Sequence, residues 1–306
     1  MDDVVSLKEL DRPLRDPVLI AAFAVRRRAG RLATQTLEHV VEAWEAEQVA
    51  RVDLDEFLDF TVRRPDVKRP DDQTILIEWP ETRLLVASPA GATRDFLLLT
   101  SYEPHFYWRR YVTAVTAYAD SLGVKTLVSL RSFPGSVPHT RPAPILINSS
   151  DVDLELQFGV QSRRNRYEGP TDIAGVLAAQ AQSLRWQTVD LTVLQPYYFP
   201  RMPNAAATMA MLKVLDHAFG TDTALGSLPE TAEAQNRAIE SDVASDAETR
   251  AVISELEKSY DAGAERMDFL ADDGDDSPGA AGELPSGEEA IQQIERLLRG
   301  GSAPEA

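Results

Sequence analysis

The stretch PVLIAAFAVRRRAGRLATQTLEHVVEAWEAEQVARVDL, residues 17–54, decides the fold class. It opens on a continuously apolar run, 17–24, which follows a proline and is too short for a typical helix, so it predicts a buried strand. Leu32, Leu37, Val40 and Trp44 then recur at helical spacing within residues 29–44, and a second strand is predicted over 48–54. A strand, a helix and another strand in succession are typical of α/β proteins.

The same alternation continues to about residue 220. Further strands are predicted at 74–79, 83–89, 95–102, 124–130, 143–149 and 187–194. Helices are predicted at 107–123, 171–184 and 204–219. Continuously apolar strands joined by helical crossovers indicate a three-layer α/β sandwich, in which a largely parallel sheet is covered on both faces.

The sequence changes character after residue 220, and we expect four regions. Residues 1–220 form the α/β domain, and 221–270 form a helical extension whose amphipathic stripe over 248–270 must pack on something. Residues 271–287 are acidic and rich in Gly, Ser and Pro, which predicts a flexible linker. Residues 288–306 contain a short amphipathic helix that is expected to dock.

Composition limits the chemistry. The 306 residues include no cysteine, and the four histidines are far apart in the sequence, so we expect no structural metal and no cofactor. The net charge is −18, of which −15 belongs to residues 221–306, so nucleic acid and anionic membranes are not expected partners. Because no apolar run approaches the length of a membrane span and no leader is evident, we expect a cytoplasmic protein.

The loop predicted over 131–144 follows a strand, where open α/β sheets usually place ligand sites. His139 in this loop is therefore a candidate catalytic group. Against that, four prolines stiffen the loop and no carboxylate or nucleophile partner is identifiable, so we favour a structural or interface role for His139.

Two other segments carry candidate residues. Arg26, Arg27 and Arg28 precede the first helix, where anions can bind, but there is no glycine-rich phosphate motif, so we favour a solvated loop or a subunit interface. Tyr167 and Glu168 lie beside a Gly-Pro turn, and Glu168 is either a general base or, as we favour, part of a hydrogen-bonded turn.

Several stretches in order along the chain resemble the PAC2 family, the proteasome assembly chaperone 2-like proteins, in its actinobacterial form of roughly 300 residues. The resemblance covers about residues 15–260 and rests on five segments: EFLDFTVRRP (56–65), WPETRLLVASPAGATRDFLLLTSYEPHFYWRRY (79–111), VPHTRPAP (137–144), RYEGPTDIAGVL (166–177) and PNAAATMAMLKVL (203–215). We call VPHTRPAP the signature loop.

The resemblance implies a phosphorylase/hydrolase-like sandwich related to purine nucleoside phosphorylases, with C-terminal helices attached. It also implies a homo-oligomer, a trimer on analogy with the phosphorylases, and a protein client such as proteasome subunits. Where relatives often carry Pro-His-Tyr, this chain has Pro196, Tyr197 and Tyr198, which departs from the family pattern.

Two functions remain open from the sequence. The first, which we favour, is a non-enzymatic, protein-binding oligomer that resembles an assembly chaperone. The alternative is an enzyme or binder of a nucleoside-like metabolite that uses a strand-end cleft containing His139, Arg141, Tyr167 and Glu168.

Overall fold

The computed structural model describes residues 3–24, 31–71, 73–160, 168–198, 204–244 and 246–262. Its centre is an eight-stranded sheet with the order β1-β3-β6-β7-β2-β8-β10-β9. The strands of this sheet are β1 (Val4–Ser6), β2 (Val18–Ala24), β3 (Glu47–Asp53), β6 (Glu81–Ala87), β7 (Phe96–Tyr102), β8 (Thr126–Gly135), β9 (Ile145–Ser149) and β10 (Gln187–Pro196).

The four central strands, β7, β2, β8 and β10, are parallel, whereas the pairs toward both edges are antiparallel. The predicted sandwich class is confirmed, and its parallel part is this central group. Strand β2 is buried on both faces, since Val18 through Ala22 have no exposed surface. That burial explains why its sequence is continuously apolar rather than alternating.

Helices cover both faces of the sheet. One core contains side chains of α1 (Arg31–Ala43) and α5 (Ala205–Phe219), and the other contains side chains of α2 (Trp108–Ser121) and α4 (Ile173–Ser183). Alternate residues of β2 divide between the cores, with Ile20 in the first and Leu19 in the second. A short helix, α3 (Val152–Gln157), lies beside β9.

Two predicted segments differ from the structure. Strand β8 continues to Gly135, so Arg131 belongs to a strand and the loop after it begins at residue 136, because β8 pairs with β10 in parallel register as far as Gly135 and Pro196. The segment 74–79 does form a strand, β5 (Leu76–Glu78), but it pairs only with β4 (Asp66–Lys68) in a separate two-stranded sheet. We call β4 and β5 together the ribbon.

Two further helices follow the sandwich. Helix α6 (Leu228–Ala244) packs on α5, and α7 (Ala247–Asp261) packs on α6. Helix α7 begins one residue before the amphipathic stripe predicted over 248–270, has Asp246 as its N-cap and ends at Asp261. Residues 263–270 of the predicted stripe lie outside the described residues. The linker and docking helix expected at 271–306 lie outside the described residues.

Candidate functional site

The candidate site lies where the central parallel strands end. Strands β8 and β10 are neighbours in parallel register, so the residues that follow Gly135 and Pro196 leave the same edge of the sheet side by side. The signature loop follows β8, and Tyr197 and Tyr198 follow β10. The backbone N–H of Tyr197 donates to the carbonyl of Gly135, which joins the two exits.

His139 is held by Tyr198. The Tyr198 hydroxyl oxygen lies 2.8 Å from the backbone nitrogen of His139 and 2.8 Å from its Nδ1, and the two rings meet edge to face at 5.7 Å. Only 8% of His139 is exposed. Burial lowers the pKa of its imidazole below the ordinary value, and the negative charges of Glu240 and Glu257 offset only part of that effect.

Both nitrogens of the His139 ring are withdrawn from solvent. The Tyr198 oxygen accepts the backbone N–H of His139 and shares a second hydrogen bond with Nδ1, whose direction depends on the imidazole tautomer. Nε2 is buried and has no hydrogen-bond partner among the described residues. Nδ1 is thus bonded to Tyr198 and Nε2 is closed off from solvent, so neither nitrogen is open to a substrate.

Arg141 is engaged by α7. Its Nε and Nη2 donate to the two carboxylate oxygens of Asp261 at 2.8 and 2.7 Å, and Nη1 lies 3.5 Å from Glu257. The hydrogen bond to Asp261 is the main reason that the pKa of Arg141 is raised above its ordinary value. A planar guanidinium fits a carboxylate in this paired geometry.

The same helix holds two neighbouring positions of the signature loop. The Thr140 hydroxyl donates to Glu257, and the Tyr260 hydroxyl donates to the carbonyl of Pro142 at 3.0 Å. Prolines fix the backbone of the loop, so these few contacts are enough to define its position. We call this set of bonds between the signature loop, Tyr198 and α7 the loop clamp.

A groove of about 450 Å³ lies between the signature loop and helices α6 and α7. Val243 and Ile253 give it an apolar surface, and Glu240, Arg250 and Glu257 give it charge of both signs. His139 lines the groove, but its Nε2 is sealed from solvent.

The described members of the predicted site have different partners. His139 and Arg141 lie on one loop but bond to different elements, and Glu168 is exposed and makes no hydrogen bond with either. Tyr167 lies outside the described residues, as do Arg26, Arg27 and Arg28. The four-residue cleft of the metabolite alternative therefore stays a prediction.

A polar cluster that the sequence did not reveal lies beneath α4. Arg131 donates to Asp172 at 2.8 Å and lies 3.7 Å from Asp190 on the neighbouring strand. Glu103, which follows β7, accepts the N–H of Ile173 at 3.0 Å. Burial raises the pKa of both Glu103 and Asp190, and Arg131 offsets only part of the effect. One guanidinium thus faces three carboxyl groups.

Sequence reasoning missed these residues for a definite reason. Arg131 was assigned to a loop, and Asp190 is a single acid inside an apolar strand, so neither formed a motif. Tyr198 and Asp261 were missed as partners because they are 59 and 120 residues from His139 and Arg141. Only the parallel pairing of the two strands that end before the signature loop and before Tyr197 brings these residues side by side.

The described residues contain neither a cluster of metal ligands nor a membrane-spanning helix. Among the described ranges no group of three or more His, Asp or Glu side chains is arranged to hold a metal ion. None of the helices in that part of the chain is long and apolar enough to cross a membrane.

Comparison with known proteins identifies the family. The family model described as the PAC2 family matches residues 28–242, whereas no curated protein matches the chain. The crystal structure of a PAC2 family protein from Streptomyces avermitilis is 34% identical, with a TM-score of 0.67, and the match covers 74% of this chain and 95% of that one.

A proteasome-assembly chaperone homologue from Mycobacterium tuberculosis is 32% identical, with a TM-score of 0.69, and the match covers 78% of this chain and 99% of that one. An archaeal proteasome activator from Pyrococcus furiosus shares the fold at 15% identity and a TM-score of 0.61, over 78% of this chain and 97% of that one. The matched family model, the two relatives above 30% identity and the resemblance of the signature loop agree: the chain belongs to the PAC2 family.

Proposed function

We propose that this chain is a non-enzymatic, homo-oligomeric protein-binding factor of the cytoplasm that acts like a proteasome assembly chaperone. The observation that carries the proposal is the loop clamp. The histidine and the arginine of the signature loop are both bonded to side chains of this same chain. The segment that the sequence offered as a catalytic candidate therefore holds the loop in place.

The partner class follows from the relatives and from the surface. The Mycobacterium tuberculosis relative is named a proteasome-assembly chaperone homologue, and we extend that role to this chain, with proteasome subunits as its clients. Contiguous exposed apolar side chains are the usual mark of protein interaction sites, and this chain exposes several, among them Ile75, Leu76 and Trp79.

The metabolite alternative has less support. It requires His139 and Arg141 to face a ligand, but Nδ1 of His139 is bonded to Tyr198, its Nε2 is sealed, and Arg141 forms a two-bond pair with Asp261. A nucleoside would have to displace these contacts before it could use either residue. We therefore do not adopt this alternative.

The test is capture followed by reconstitution. The tagged chain is used to capture proteins from a native lysate of its source cells, and retention of proteasome α or β subunits is the expected result. Purified subunits are then mixed with and without the chain, and faster formation of the assembled particle is expected. Failure to retain any proteasome subunit, together with a saturable rise of Tm across a nucleoside panel, would reverse the choice between the two functions.

A further inference from the structure

The groove between the signature loop and helices α6 and α7 has the shape of a site for a third helix. Its two long walls are helices, and its volume is about 450 Å³. Val243 on α6 and Ile253 on α7 supply apolar side chains from both walls. A helix that lies between two others packs its side chains into the spaces between theirs, so a groove of this kind fits one amphipathic helix.

The charges around the groove have an order. Glu257 accepts the hydroxyl of Thr140, and the negative charges of Glu240 and Glu257 both act on His139, so the two acids lie beside the signature loop. Arg250 is two helical turns before Glu257, about 10 Å along α7, and near the turn that joins α6 to α7. The groove is thus acidic at the signature loop and basic at its other end.

A segment of the same chain, outside the described residues, has the complementary order. Residues 288–300, with the sequence EEAIQQIERLLRG, carry Ile291, Ile294 and Leu298 at three- and four-residue steps, which predicts an amphipathic helix. Two glutamates open the segment, and two arginines lie near its end. So short a helix is marginal in water by itself, so its helical form requires an apolar surface to pack on.

The chain between the groove and this segment is long enough for the segment to return. Helix α7 ends at Asp261, four residues after Glu257, and 25 residues separate 262 from 288. A chain of that length spans on the order of 25 to 30 Å, whereas α7 is about 22 Å long. Both ends of the groove are therefore within reach, and the tether holds the segment at an effective concentration in the millimolar range.

We propose that residues 288–300 form a helix that docks in this groove, parallel to α7, with its apolar stripe toward the groove. In this orientation the two leading glutamates lie near Arg250, and the two arginines lie near Glu240 and Glu257. The opposite orientation places arginines beside Arg250 and glutamates beside the two acids, so charge selects the parallel one.

Docking makes the chain supply both the site and its occupant. The docked segment covers the apolar side chains of the groove, so a partner helix enters the groove only by displacing the segment. This inference goes beyond the proposed function and does not depend on it, because a groove that is filled by its own chain is compatible with any client.

Disulfide trapping in the full chain tests the contact, because the native sequence has no cysteine. When residue 291 lies level with Arg250, the leading glutamates are within one turn of Arg250 and residue 295 lies opposite Ser254. The test variant is therefore Ser254→Cys, Glu295→Cys, and the matched control is Ser259→Cys, Glu295→Cys. Both serines are exposed on α7, but Ser254 lines the groove and Ser259 does not.

Oxidation at submicromolar protein concentration should close an intramolecular disulfide at least tenfold faster in the Ser254 pair than in the Ser259 pair. Titration of free thiols over time and migration on a non-reducing gel measure the rates. The tether alone brings both pairs together at similar rates, so the ratio reports docking. Equal rates would overturn the proposal. Disulfide-linked dimers in place of the intramolecular bond would also overturn it and would identify a second copy as the occupant.

Charge reversal within the Ser254 pair tests the orientation. Arg250→Glu should slow disulfide closure several-fold at low salt, and adding Glu288→Arg, Glu289→Arg should restore most of the rate. The control reversal Lys258→Glu changes an exposed residue of α7 outside the groove and should leave the rate unchanged. If Arg250→Glu has no more effect than Lys258→Glu, the parallel docking is overturned.

Discussion

The signature loop has a polar sequence typical of a binding site but is bonded within the chain, whereas the ribbon has an apolar sequence typical of a core strand but is exposed to solvent. The signature loop contains a histidine, a threonine and an arginine, yet the loop clamp bonds all three to Tyr198 or to α7. The ribbon contains a strand that resembles core, yet its Leu76 is 52% exposed. The difference shows that residue type indicates what a segment can do, whereas the availability of a partner in the chain decides what it does.

The largest effect on stability is expected from the loss of one oxygen atom, the hydroxyl of Tyr198. Tyr198→Phe removes the group that bonds both the backbone N–H and the Nδ1 of His139, and it leaves both buried and unpaired. We expect the free energy of unfolding to fall by about 2 to 3 kcal/mol, measured by urea denaturation.

Tyr197→Phe is the matched control for that experiment. Tyr197 is adjacent and half-buried, and its hydroxyl has no hydrogen-bond partner within the described ranges, so its loss is expected to change stability by less than about 0.5 kcal/mol. Equal effects of the two variants would show that the loop clamp does not depend on the Tyr198 hydroxyl.

A pH series examines the buried ring itself. Burial lowers the pKa of His139 in the folded chain below its unfolded value of 6.5, so below pH 6.5 the unfolded state takes up a proton that the folded state does not. The stability contributed by neutral His139 is therefore present above pH 6.5 and is lost as the pH falls toward the lower pKa of the folded state.

His139→Ala lacks this titration, so the difference in unfolding free energy between the native chain and the variant is expected to shrink between pH 7 and pH 5. Denaturation curves at each pH measure it. A difference that stays constant, or grows toward acid, would contradict a buried neutral ring.

A smaller effect is expected for the ion pair of the loop clamp. Arg141 and Asp261 are partly solvated, with side-chain exposures of 32 and 52%, so their attraction is screened by water and salt. A double-mutant cycle with Arg141→Ala and Asp261→Ala should show a coupling that is small at low salt and disappears near 1 M NaCl. A large coupling that persists in salt would mean that the pair is more buried in solution than its geometry indicates.

The smallest effect on stability is expected at the ribbon. Ile75→Lys and Ile77→Lys alter exposed side chains that make few intramolecular contacts, so we expect less than about 0.5 kcal/mol of change in the unfolding free energy of the isolated chain. A loss above about 2 kcal/mol would show that the ribbon belongs to the core and would abolish the contrast with the signature loop.

The sequence predicted the sandwich because its buried strands and amphipathic helices have distinct periods. Strands β2, β7 and β10 were located to within a residue or two of their observed bounds, since each is rich in apolar or β-branched residues over a length typical of strands. The short elements β1, β4 and α3 were not predicted, because three to six residues are too few to show a period.

The candidate site was only partly predictable. The position of His139 at a strand end followed from the strand and helix alternation. Its partner Tyr198 follows instead from the parallel pairing of β8 with β10, and the pairing of Arg141 with Asp261 follows from the path of α7 across the loop. Such contacts depend on tertiary geometry, which local sequence patterns do not contain. The exposure of the ribbon likewise depends on which strands enter the main sheet.

The most direct test of the contrast compares the free energy of unfolding of two variants by urea denaturation. Tyr198→Phe should lose about 2 to 3 kcal/mol because it leaves buried groups of His139 unpaired, whereas the double variant Ile75→Lys, Ile77→Lys should change by less than about 0.5 kcal/mol. If the ribbon variant loses as much stability as Tyr198→Phe, the ribbon is held within the chain as firmly as the signature loop and the central claim is wrong.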